Sequence, residues 1–168
     1  MTLTLHAQPY DISATGFYFS SIEEYDRQSK ALKNSYGDPV EEFEIQFIDG
    51  DSIDCDLAKA IDISQANLAQ YFACVDEWEE WEKIHVIIAV GECGYDFNAD
   101  TQASDFDITI YEEDSYRDLA FRFVDEGLFG AVPESLVSYI DYDVIARDLE
   151  IEYSDTVING ERLIYSCG

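Results

Sequence analysis

Positive charge is what this chain most lacks. It has 9 Lys and Arg against 37 Asp and Glu, a formal net charge of −28. A phosphate backbone would meet repulsion almost everywhere, so direct nucleic-acid binding is not expected. The one local cluster of cations, Arg27, Lys30 and Lys33, is surrounded by acids. Long apolar runs are missing too. The longest, Val86 to Val90, falls far short of the roughly 20 residues that span a bilayer. The N-terminus has no basic region followed by an apolar one, so no secretory leader and a cytoplasmic location are expected. Histidine is confined to His6 and His85, and Cys55, Cys74, Cys93 and Cys167 form no Cys-x-x-Cys pair. Without a leader these cysteines read as reduced thiols, and no local spacing marks a zinc site. There is no Gly-x-Ser-x-Gly, no phosphate-cradling glycine loop and no His-Glu-x-x-His. Nothing singles out two of the 37 acids for glycosidic chemistry. The expectation is a non-enzymatic protein without a cofactor or metal.

What is present argues against a disordered acidic tail. Hydrophobic residues make up 47% of the 168, with 12 Tyr, 10 Phe and 2 Trp. Aromatic side chains bury much apolar area each and suit thin cores. The acids are spread through foldable sequence. Asn34 to Tyr116 holds 22 acids and only two cations, Lys59 and Lys83, and so carries 20 of the 28 excess charges. Self-repulsion on this scale opposes compaction unless something uses it. A duplex carries one negative charge per ~1.7 Å of axis, so this excess matches about 48 Å of duplex. A compact chain of this length would have a radius of gyration of only about 15 Å. Charge spread along an elongated protomer would reduce repulsion and reproduce a phosphate track.

Periodicity predicts an α+β fold. Leu3 to Phe19 reads as one or two short strands broken near Pro9 and Gly16. Ser21 and Glu24 form a capping box for a helix with Ile22, Tyr25 and Leu32 on one face, ended by Gly37-Asp38-Pro39. Phe43, Ile45 and Phe47 alternate with polar residues, as in a half-buried strand. Leu68, Tyr71, Phe72 and Val75 define a helical stripe, and Trp78, Trp81, Ile84, His85 and Ile88 a second. Both tryptophans, and His85, are expected in a thin helical core. Phe106, Ile108 and Ile110 predict a strand, and Tyr116, Leu119, Ala120 and Phe123 a helix stopped by Gly127. Pro133 suits the start of a short helix and Asp141 the cap of another. Asn159-Gly160 is the strongest two-residue hairpin signal. The resulting expectation is three small domains. They are an N-terminal β/α domain over 1–56, a central helical domain over 57–104, and a C-terminal α+β domain over 105–168 that ends in a β-hairpin.

Two alternatives to a charge-based partner function stand beside it. Asp96, Asn98 and Asp100, with Asp107 at the twelfth position, resemble a calcium loop, but Thr101 stands where such loops need Gly. A salt-adapted acidic domain would also carry many acids and few lysines.

The segment Gly130 to Leu149, GAVPESLVSYIDYDVIARDL, resembles the characteristic stretch of the ArdA antirestriction proteins. The recognisable runs are Val132-Pro133, Tyr139-Ile140-Asp141-Tyr142 and Arg147-Asp148-Leu149. The similarity extends back through GFYFSSIEEY (Gly16 to Tyr25) and EEFEIQFIDGD (Glu41 to Asp51). The segment before Gly16 is shorter than the family pattern, and Gly91 to Ser104 differs from it. The resemblance implies a bent, elongated protomer that dimerises through its C-terminal domain, with Tyr139, Tyr142 and Val144 as candidate contacts. It also implies an acidic DNA mimic that occupies the DNA-binding groove of type I restriction–modification enzymes. The carboxylates expected to face the basic groove are those of Glu23, Glu24, Asp26, Glu41, Glu42, Glu44, Asp49, Asp51, Asp76, Glu79, Glu80, Glu82, Asp107, Glu112 and Glu113. The partner implied is the methyltransferase core of such an enzyme.

Overall fold

The computed structural model describes residues 2–168. The fold is α+β, with two three-stranded antiparallel sheets and helices beside each. The chain divides into two compact units, one ending at Phe106 and the other spanning Asp107–Gly168.

The first unit opens with β1 (Thr4–Pro9) and β2 (Phe17–Phe19), and later adds β3 (Phe43–Asp49). The order is β2-β1-β3. Alternation sends Leu5, Ala7, Phe19, Phe43 and Ile45 to one face, where they are buried. His6, Gln46 and Tyr18 sit side by side in register on the other. Helix α1 (Ile22–Ala31) starts at Ser21, whose hydroxyl accepts from the Glu24 amide at 3.1 Å. The Glu24 carboxylate reaches one residue further back than a capping box requires, to the Ser20 amide at 2.8 Å. Tyr25 of α1 and Phe72 cover the sheet. Phe17, Phe19, Tyr25, Phe43 and Phe72 form a chain of tilted or edge-on ring contacts 5.1–6.1 Å apart. Such geometry adds about 0.5–1.5 kcal/mol per pair beyond area burial. A small sheet thereby gains a core without depth.

Helix α2 (Ser52–Ala60) was not expected from the sequence. It runs across positions 56 and 57 and buries Ile53, Leu57 and Ala58. Helix α3 (Leu68–Glu77) buries Leu68, Tyr71, Phe72 and Cys74, close to the expected stripe. Helix α4 (Glu80–Val86) departs from expectation. Its buried side chains are Lys83 and Val86, followed by Ile87, Ile88 and Ala89 of a π-helical turn over Ile87–Glu92. Trp81 is 60% exposed, so the expectation that both tryptophans fill the core fails. The physical reason is an ion pair. Lys83 Nζ meets Asp54 Oδ1 of α2 at 2.8 Å, with side chains only 11% and 7% exposed. The Tyr71 hydroxyl donates to the Asp54 carbonyl at 2.7 Å. Turning Lys83 inward rotates Trp81 outward. The π-helical turn then brings Gly91 against α2, where an added Cβ would lie 3.1 Å from that of Ala60.

The Asn98 side chain accepts from the Asp100 amide at 2.9 Å, and the buried Thr101 hydroxyl accepts from the Asn98 amide at 2.8 Å. Among the described residues no three His, Cys, Asp or Glu side chains converge on a metal position.

In the second unit, β4 (Ile108–Tyr111), β5 (Ser154–Ile158) and β6 (Glu161–Cys167) make a sheet in the order β4-β6-β5. Asn159 and Gly160 join β5 to β6 with φ of 52° and 79°, the left-handed pair that a two-residue turn needs. Helices α5 (Tyr116–Asp125) and α6 (Tyr142–Glu152) pack together. Their core is Tyr116, Leu119, Ala120, Phe123, Ala146 and Leu149, with Ile164 from the sheet. Ser115 caps α5 by accepting from Asp118, and Asp141 caps α6 by accepting from Asp143 and Val144. Gly127, with φ of 76°, ends α5. Pro133 stands just before a short 3-10 helix over Glu134–Tyr139.

Cys55 and Cys74 are free thiols.

Candidate interaction surface

The surface chemistry of the first unit begins with where its acids sit. Glu23, Glu24 and Asp26 lie on α1. Glu41, Glu42, Glu44, Asp49 and Asp51 lie on and beside β3. Asp76 is near the end of α3, and Glu79, Glu80 and Glu82 form the start of α4. All are exposed except Glu24 and Glu82, which are partly buried. Those two are engaged as caps. The Glu82 carboxylate accepts from the Glu79 amide at 2.8 Å, completing a capping box at the head of α4. An acid in a first turn is favoured by the helix dipole, so the fold holds these charges where they also suit the helix. Glu44 accepts from Gln46 Nε2 at 3.3 Å.

The cations of this unit do little to offset that surface. Lys83 is consumed in the buried pair with Asp54, which is locally neutral. Arg27, Lys30 and Lys59 are exposed. A cavity of about 500 Å³ opens beside the pair, lined by Ser21, Glu23, Asp51, Asp76 and Lys83 among others. His85 is half-buried rather than buried.

Burial also sets the titration of this unit. Cys74 on α3 is pushed up to about 11, first by burial and then by the Glu77 charge. Burial, with the Asp54 charge beside it, raises Tyr71 well above the ordinary phenol range. At the surface, Asp11 is held below the usual carboxylate value by Asn34, which donates at 2.9 Å, and by Ser13.

In the second unit, Asp107 and Glu112 are exposed and Glu113 is partly buried. Glu113 receives Arg122 at 3.4 Å, and the same guanidinium meets Glu126 at 3.0 Å and lies 5.1 Å from the Tyr111 ring. Arg117 pairs with Asp143, and Arg162 with Asp155 at 2.7 Å. Three of the four arginines here are therefore clasped by carboxylates. Sequence reasoning placed Glu113 among free surface acids and missed this clasp.

The candidate dimer residues separate. Tyr139 is 81% exposed and Val144 is exposed, whereas Tyr142 is partly buried and stacks on Phe121 at 3.8 Å. Phe121, Leu128, Phe129, Leu136 and Val137 are also exposed. A cavity of about 690 Å³ lies among Phe121, Val124, Val132, Val137 and Tyr142.

No helix among the described residues is long and apolar enough to cross a membrane. No curated protein matches the chain. A family model does: that of the antirestriction protein ArdA matches residues 10–161, and the chain therefore belongs to the ArdA family of antirestriction proteins.

Proposed function

We propose that the protein is a DNA mimic that inhibits type I restriction–modification enzymes by occupying the DNA-binding groove of their methyltransferase core. One observation supports this most directly. Most of the named acids of the first unit stand exposed on capped, hydrogen-bonded elements, while one of its few cations is buried against Asp54. Charges held in place lose little freedom on binding, and a protein in the groove has no duplex-bending cost. The exposed carboxylates among the fifteen named above would meet the groove's Arg and Lys, no single pair contributing more than about 1 kcal/mol, while Glu24, Glu82 and Glu113 are engaged within the fold. An elongated protomer of three small domains would carry this charge along a track of duplex length. The test is competition. Purified protein should displace a fluorescent duplex from a type I methyltransferase core stoichiometrically, without turnover, and less well as salt rises. Failure to displace DNA at any ratio would end this reading.

The exposed apolar side chains of the second unit fit a second copy of the chain. Tyr139 and Val144 would lie in the interface directly, and Tyr142 would support it through Phe121. Sedimentation at micromolar concentration should give a dimer, and Tyr139→Asp with Val144→Asp a monomer. A wild-type monomer under those conditions would remove the dimer.

A further inference from the structure

The free edge of β3 offers main-chain groups in a pattern that a neighbouring strand would satisfy. Tyr10 donates its amide to the Glu42 carbonyl at 3.2 Å, so even-numbered residues of this segment face β1. The odd-numbered Phe43 amide points the other way and donates to the Gln65 side chain at 2.9 Å. The same carboxamide donates back to the Glu41 carbonyl at 2.9 Å. Gln65 thus sits on the first rung of the edge as a peptide group of an added strand would. By the two-residue period, the amides of Ile45 and Phe47 face outward along the same edge. Among the described residues no turn or loop carbonyl accepts from them. Beside that edge lies a groove of about 520 Å³ between Phe43, Ile45 and Phe47 on one side and Cys55 and Ala58 of α2 on the other. Alternate side chains of an added strand would enter it. Its charged lining residues are Glu44, Asp62 and Lys59, in a chain of net charge −28, so the field favours a basic occupant.

We infer that the β3 edge binds an extended, net-basic segment of a protein partner by strand addition, with Ile45 and Phe47 supplying the main-chain hydrogen bonds. Backbone pairing would give affinity, and the groove beside β3 would select apolar residues at every second position. This contact is made by main-chain groups rather than by the carboxylates proposed to meet the enzyme's groove, and either can fail without the other.

The probe is an alternating Lys-Val peptide, titrated into the full chain while backbone amide exchange is followed by NMR. Exchange at Ile45 and Phe47 should slow about tenfold or more at saturation, because paired edge amides open only with the strand. A twin peptide N-methylated at alternate residues should leave both amides unchanged, as should oligolysine. Phe47→Pro removes an outward amide without touching the β1 ladder, a place where edge strands tolerate proline, and should abolish the effect. Equal slowing by the N-methylated twin or by oligolysine would overturn the inference, as would unchanged exchange at Ile45 and Phe47 at millimolar peptide. If Phe47→Pro does not fold, the N-methylated comparison still decides.

Discussion

Lys83 shows how one residue sets the face that a helix presents. Its ammonium is buried with Asp54, and the pair leaves neither charge facing solvent. Lys83→Met should cost about 3–5 kcal/mol, because it strands the Asp54 carboxylate in the interior. The double variant Lys83→Met with Asp54→Leu should recover most of that loss. Urea denaturation of the three proteins measures both effects, and equal loss in single and double variants would deny the pair its role. The two free thiols differ as sharply. Cys55 is half-buried at the β3 groove, whereas Cys74 is buried and pushed up to about 11. At pH 8 iodoacetamide should modify Cys55 and leave Cys74 untouched until the unit unfolds. Burial favours the neutral thiol in the folded state. The stability tied to Cys74 is therefore intact below its ordinary value near 9.0, and is lost as pH climbs from there toward about 11. Tyr71 adds to the same alkaline loss from about 10 upward. Midpoints of thermal unfolding between pH 8 and 11 would follow this fall.

At the scale of elements, caps and turns were legible in the sequence, and helix phase was not. Ser21, Asp141 and Asn159-Gly160 all stand where local chemistry put them, because a cap or a two-residue turn is decided within four residues. Helix α2 escaped notice because Asp51, Asp54 and Asp56 make it read as an acidic cluster, while its apolar positions 53, 57 and 58 are few. The phase of α4 could not be read from neighbours, since it depends on a partner 29 residues away. The π-helical turn after it shifts the period again. The acids of the candidate surface were visible as composition. Which of them are engaged was not, as Glu82 and Glu113 show. The caps of the second unit carry a direct test. Ser115→Ala and Asp141→Ala should each lower stability by about 1 kcal/mol, and together by about twice that, since the caps serve different helices. Asp141 satisfies two amides and Ser115 one, so Asp141→Ala should be the costlier.

Over the whole molecule the proposed role of the charge is collective. A total of −28 cannot be assigned to any one contact. Single substitutions such as Glu80→Gln should change the inhibitory concentration by less than about fivefold, since exposed pairs are worth about 0–1 kcal/mol. Reversing Glu41, Glu42 and Glu44 together should weaken inhibition far more, and should flatten its dependence on salt. Inhibition measured at several ionic strengths separates the two classes of variant. One single substitution that abolished activity while the fold survived would contradict a distributed surface.

The turn between β5 and β6 has a consequence for the age of a preparation. Asn159 is exposed and precedes Gly160, the neighbour that least hinders attack of its backbone nitrogen on the Asn side chain. Loss of ammonia there would form a cyclic imide, which opens to aspartate or isoaspartate. Either product adds one more anion to the surface. Isoaspartate also lengthens the main chain inside a turn whose geometry fixes the Ile158–Glu161 pairing. Stored protein should accumulate a species heavier by about one dalton on the peptide containing Asn159, and Asn159→Asp should reproduce the added charge without the lengthened chain.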